Sequence, residues 1–112
     1  ALANGEDPYS AHSAQCFTAL EEDEWNYNKR EENIIACLAM LNADPNKAGG
    51  HYAMARLYFS LWMLQPALTS IVNAENLAPN SAPIWQQKMY ILTGLNREEE
   101  AKVAMLKFVE LY

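Results

Sequence analysis

Residues 44–80 read DPNKAGGHYAMARLYFSLWMLQPALTSIVNAENLAPN, with Pro-Asn near its start and again at its close. Asp44-Pro45-Asn46 returns as Ala78-Pro79-Asn80, so the two prolines stand 34 residues apart. The step continues outward from there. Ala67 returns as Ala101, Ile71 as Met105 and Leu77 as Leu111. A fixed period of this length marks a repeat array, in which each unit buries its apolar face only against its neighbours.

The apolar residues recur at helical spacing. Asp7-Pro8 predicts a helix start, since Asp can cap and Pro suits the first turn. Ala14, Phe17 and Leu20 share one face of that helix, which should end near Glu24, with a turn over Trp25–Asn28. Lys29–Ala43 follows as a second helix, with Ile34, Cys37, Leu38 and Leu41 inward and Ile35 and Met40 alongside. Gly49-Gly50 predicts a break before a third helix over His51–Leu61, whose core side is Met54, Tyr58 and Leu61. Trp62–Gln65 reads as an unusually apolar turn. Pro66 then opens a fourth helix carrying Ala67, Ile71, Ala74 and Leu77. Ser81 and Pro83 start a fifth, with Trp85, Met89 and Leu92, which breaks at Thr93-Gly94. Asn96 is the expected cap of a sixth, with Glu98, Glu99 and Glu100 in the first turn, where the helix dipole favours acids. No window alternates with period two, so no strand is expected.

The middle unit carries Ala55, Tyr58, Ala67, Ile71, Ala74 and Pro79 at the spacing of a known signature, W-x₂-L-G-x₂-Y, then A-x₃-F, then P. The third repeats it at Trp85, Leu92, Ala101 and Met105, departing at Met89 and Phe108. The first fits at Phe17, Leu20, Cys37 and Pro45, while Glu21 and Asn33 fall where two facing small residues belong and could pair by a hydrogen bond. The chain thus resembles a tetratricopeptide repeat protein with repeats at about 14–47, 48–81 and 82–112. The resemblance implies a single all-α domain over residues 1–112. It would be an α-solenoid of three antiparallel helix pairs wound into a right-handed superhelix. It also implies a protein-interaction module rather than an enzyme.

Composition narrows the partner. The net charge is −6. Nine of the acids lie in residues 1–44 (Glu6, Asp7, Glu21, Glu22, Asp23, Glu24, Glu31, Glu32, Asp44), against Lys29 and Arg30. Nucleic-acid binding is not expected, because phosphates require Lys and Arg. No apolar run is long enough to insert in a membrane as a helix. Cys16 and Cys37 read as two small buried hydrophobes, with a single disulfide between the helices of the first repeat as the alternative. His12 and His51 have no ligand-spaced neighbours, and phosphate loops, zinc motifs and nucleophile elbows are absent, so no metal, cofactor or catalytic residue is expected. Ala1-Leu2-Ala3 resembles the end of a signal-peptide cleavage site, and an arbitrary chain boundary explains it equally well. The compartment stays open between cytoplasm and export.

In tetratricopeptide arrays the first helices of successive repeats line a concave groove. By phase, the resemblance assigns to that groove Thr18, Glu22 and Trp25 from the first repeat, Tyr52, Arg56 and Phe59 from the second, and Gln86 and Tyr90 from the third. Tyr52, Arg56 and Phe59 stand at i, i+4 and i+7, on one helical face. The family's clamp for a terminal carboxylate would fall on Thr18, Glu22, Ala53, Pro83 and Gln87, which are the wrong residue types. The implied partner is therefore an extended or helical peptide held by apolar anchors, as in the family's small acidic secretion chaperones and adaptors. The sixth helix is apolar beyond one stripe. Val103, Leu106 and Val109 expect a neighbour, either another repeat, a partner protein or a second copy of the chain, and the alternative reading is a structural part of a larger assembly factor or regulator that docks or dimerises through this face.

Overall fold

The computed structural model describes residues 8–22 and 30–112, with the side chains of all of these except 19–22 and 30. The described residues form six α-helices and no strand: α1 (Pro8–Glu22), α2 (Arg30–Ala43), α3 (Ala48–Ser60), α4 (Leu64–Leu77), α5 (Ala82–Gly94) and α6 (Glu98–Leu111). They pack as three successive pairs, α1 on α2, α3 on α4 and α5 on α6, with α2 against α3 and α4 against α5 joining the pairs. α1 and α5 both touch α3, so the first helices form a continuous layer. The expected turn at Trp25–Asn28 lies outside the described residues.

Small residues set the pair spacing. Ala55 on α3 and Ala67 on α4 are fully buried in one cluster with Ile71, Ala74, Ile84 and Ile91. In the third pair Ala101 and Ala104 pack with Leu92 in the same way. A methyl-sized side chain at these points lets two helix backbones approach closely, and a larger one would push them apart.

The repeat extends to single hydrogen bonds. His51 Nε2 donates to the Pro45 carbonyl at 2.8 Å. Thirty-four positions later Trp85 Nε1 donates to the Pro79 carbonyl at 2.7 Å. The ring near the start of α3, and again of α5, thus ties down the proline that ends the previous unit. α3 and α5 also end alike. Trp62 N–H bonds to Phe59 and Met63 N–H to Tyr58, while Asn96 N–H bonds to Thr93 and Arg97 N–H to Leu92. Both are Schellman closures, with Trp62 (φ 58°) and Asn96 (φ 60°) in the left-handed region.

Several sequence expectations change. Gly49 and Gly50 do not break the chain; they lie in the first turn of α3. A Cβ on Gly50 would sit 2.8 Å from the Leu41 Cα, so this glycine is required for the approach of α3 to α2. α4 begins at Leu64, two residues before Pro66. Asn96 does not cap α6; it closes α5, and Arg97 is the N-cap of α6. On α2, Met40 joins Cys37 in the core, whereas Leu38 and Ile35 are exposed. On α1 the inward residue is Cys16, and Ala14 faces solvent. Asn33 is buried, while its expected partner Glu21 lies among the undescribed side chains.

The two cysteines are bonded. Cys16 and Cys37 form a disulfide joining α1 to α2, with Cα atoms 4.7 Å apart and both side chains fully buried. The reading of two unlinked apolar cysteines is therefore corrected, although their place in the core is kept. They sit among Met40, Ala53, Met54 and Leu57, with Tyr9, Phe17 and Ile34 around them.

The last pair differs from the middle one because nothing among the described residues covers it. Ile71 on α4 is fully buried and Val72 half-buried, since α5 lies over them. Their counterparts one repeat on, Met105 and Leu106, are 43% and 65% exposed. The residue types match and the environments do not.

Candidate functional site

The first helices carry a line of aromatic rings. Phe17 of α1 meets Tyr52 of α3 with ring centroids 6.3 Å apart. Phe59 of α3 meets Tyr90 of α5 at 6.4 Å in a stacked arrangement. Between them Arg56 lays its guanidinium over the Tyr52 ring, 5.8 Å from the centroid. Trp62, just beyond α3, meets Phe59 at 5.8 Å. The i, i+4, i+7 spacing places Tyr52, Arg56 and Phe59 on one face of α3, and each ring touches a neighbour from the next element or turn.

These side chains are not equally available. Tyr52 and Phe59 are half-buried and also pack on the central core cluster, so part of each ring serves the fold. Tyr90 is 44% exposed and Trp62 66% exposed. Arg56 and Gln86 are half-buried and Thr18 is exposed. The Glu22 side chain and the whole of Trp25 lie outside the described residues, and the structure adds nothing to their assignment.

The positions of a terminal-carboxylate clamp hold unsuitable side chains. Ala53 is fully buried and Pro83 exposed. Gln87 is buried, and its Nε2 has no hydrogen-bond partner among the described residues. A buried amide donor without an acceptor is costly, of order 1–3 kcal/mol.

Charges on α3–α6 are mostly internally matched. Lys88 pairs with Glu75 across α4 and α5. Arg97 pairs with Glu100, Lys102 with Glu99 and Lys107 with Glu110. Arg56 has no carboxylate partner among the described residues. Sequence reasoning picked Arg56 by phase, but the pairing that isolates it depends on side-chain reach. Trp62 was read only as part of an apolar turn. Its signal was the repeat itself, which sets Trp62 in register with Asn96, a residue suited to the left-handed conformation.

The second candidate surface lies on α6. Val103, Leu106 and Val109 are 64%, 65% and 65% exposed, and Tyr112 beyond them is exposed too. Among the described residues no group of His, Cys, Asp and Glu is arranged to hold a metal ion. No helix among them is long and apolar enough to cross a membrane.

Comparison with solved structures places this architecture. The second TPR of Spaghetti (RPAP3), bound to the HSP90 peptide SRMEEVD, superposes with a TM-score of 0.83 at 17% identity, covering 94% of this chain and 93% of that one. The fold is the tetratricopeptide repeat fold. The MamA RS-1 ArsTM double mutant matches with a TM-score of 0.77 at 16% identity, over 92% of this chain and 55% of that one. MamA MSR-1 C2 matches at 0.73 and 18% identity, over 97% of this chain and 60% of that one. No family model matches the sequence, and no curated protein matches it significantly. The tetratricopeptide architecture is thus recovered by backbone geometry, at identities too low to carry side-chain function across.

Proposed function

We propose that this protein is an interaction module, a chaperone or adaptor, that binds a peptide or helix of a partner protein along the first helices. The observation that carries the reading is the line of rings from Phe17 through Tyr52 and Phe59 to Tyr90, left partly open and flanked by Arg56. Tyr and Arg are the side chains that most often anchor protein interfaces, because they bring large contact area and hydrogen bonding at low entropic cost. The Spaghetti domain holds an acidic peptide, which supports a peptide ligand for this fold in general. The altered clamp positions here point to recognition of side chains within a segment rather than of a chain terminus.

The test is binding of a purified partner segment to groove variants. Tyr90→Ala removes the most exposed ring on the first helices with little core loss, and Tyr52→Ala removes the ring beneath Arg56. Affinity should fall for each and more for the pair. Unchanged affinity for the pair would refute the groove.

The uncovered α6 face favours a second reading. α5 covers α4, and the equivalent surface of α6 is bare among the described residues, so a second copy of the chain or a partner helix would have a ready seat at Val103, Leu106 and Val109. Sedimentation of the wild type beside Val103→Lys with Leu106→Lys tests this. Self-association that disappears in the variant supports it, and a wild-type monomer excludes the dimer.

A further inference from the structure

The left-handed closing position of α3 is where the chain would use Gly or Asn, and the next repeat does use Asn96. Trp62 occupies it instead, against the steric preference of a bulky side chain. Strain of this kind persists where the surroundings enforce it and collects at functional places. Here the consequence is visible. The indole stands 66% exposed, meets Phe59 at a tilt and reaches Gly94 at the end of α5. A Cβ on Gly94 would come within 3.4 Å of the Trp62 ring and 3.1 Å of Leu64. A side chain at Gly94 would crowd Leu64, while the Trp62 ring lies at ordinary contact distance. Trp62, Phe59 and Tyr90 together make one aromatic surface spanning the ends of α3 and α5.

One turn before this surface stands Arg56, the base of α3–α6 with no carboxylate of its own among the described residues. At about 1.5 Å per helical residue, Phe59 lies about 4.5 Å and the end of α3 at Ser60 about 6 Å along the axis from Arg56, with Trp62 in the turn that follows. An extended chain rises roughly 3.3 Å per residue, so it spans that interval in two or three residues.

We propose that this end of the groove selects an extended peptide in which an Asp or Glu pairs with Arg56 and, two or three residues away, a proline or aromatic ring lies on the Phe59–Trp62–Tyr90 surface. The proposal rests on the groove reading above and assigns its ligand chemistry. Aromatic-lined grooves hold extended, ring-bearing segments by flat stacking at low ordering cost, and Arg binds a carboxylate through two parallel hydrogen bonds. An acidic partner is chosen here by a local cation despite the net charge of −6.

The test is selection from a random-peptide display library on the disulfide-intact protein, followed by titration of the selected peptides as synthetic probes. The expected outcome is enrichment of an acid spaced two or three positions from Pro, Phe, Tyr or Trp. Affinity should fall about tenfold or more for Arg56→Glu and for Trp62→Asn, as for anchor residues elsewhere. Trp62→Asn installs the residue that the next repeat tolerates at this place. Exchanging the peptide acid for Lys should restore binding to Arg56→Glu. Selected peptides that need Tyr52 and Tyr90 but ignore Arg56→Glu and Trp62→Asn would overturn the proposal and leave the groove reading standing. Peptides indifferent to all four substitutions, or a library that yields no binder, would overturn both.

Discussion

Removing the Cys16–Cys37 bond should loosen the first helix pair by an amount that can be worked out. The bond closes a loop with a sequence separation of 21. The chain-entropy relation for a loop of that size gives about 3.3 kcal/mol at 25 °C. Around it α1 has modest apolar support, with Tyr9 and Phe17 only half-buried against the cluster. If the chain unfolds as one unit, an unfolding entropy of about 2.1 cal/mol/K per residue turns that loss into a fall in Tm of roughly 14 °C. If the pairs unfold separately, as repeat arrays can, the loss stays local to α1 and α2. Either way, exchange of the α1 amides should speed up about 250-fold, which is 3.3 kcal/mol at about 1.4 kcal/mol per decade. The assay is hydrogen exchange on oxidised protein, on reduced protein and on Cys16→Ala with Cys37→Ala. Amides of α5 and α6 should keep their protection in the local case. A rise in α1 exchange below about tenfold, with an unchanged melting curve, would refute the view that the bond supplies what the apolar core of this repeat lacks.

Other outcomes follow from the packing. Ala55→Leu or Ala67→Leu should cost about 1–3 kcal/mol by overpacking the α3–α4 contact, read by denaturant unfolding. Gly50→Ala should also destabilise, because the Leu41 backbone must yield to the new methyl; a rise in the denaturation midpoint would contradict the close approach. Val103→Lys with Leu106→Lys should leave monomer stability within about 0.5 kcal/mol, since both side chains are largely in water. Trp62→Asn should change stability by less than about 1 kcal/mol, as relief of the left-handed conformation, of order 1–2 kcal/mol, is offset by the lost Phe59 ring pair at about 0.5–1.5 kcal/mol. A loss beyond about 2 kcal/mol would mean that Trp62 is a core residue and not a surface one.

The repeat was legible because its residues are those that steric constraints leave little choice about. Pro45 and Pro79 end helices, Ala55, Ala67 and Ala101 sit where backbones nearly touch, and all are read directly from spacing. The errors fell where one residue type has two uses. Gly49-Gly50 could break a helix or admit a neighbour, and only the Leu41 backbone beside Gly50 decides between them. Asn96 could start α6 or end α5, and the left-handed φ decides. Cys16 and Cys37 could pack or bond, and their separation in space settles what a distance of 21 along the chain could not. At the candidate groove, phase placed Tyr52, Arg56, Phe59, Gln86 and Tyr90 on the first helices. The isolation of Arg56 and the exposure of Trp62 depend on which side chains reach each other, which periodicity does not encode.

The two candidate surfaces make opposite demands on one measurement. Amide chemical-shift changes on adding a selected acidic, ring-bearing peptide should map to α3 and α5, centred on Arg56, Phe59, Trp62 and Tyr90, with α6 silent. Changes centred instead on Val103, Leu106 and Val109 would contradict the groove and place recognition on α6.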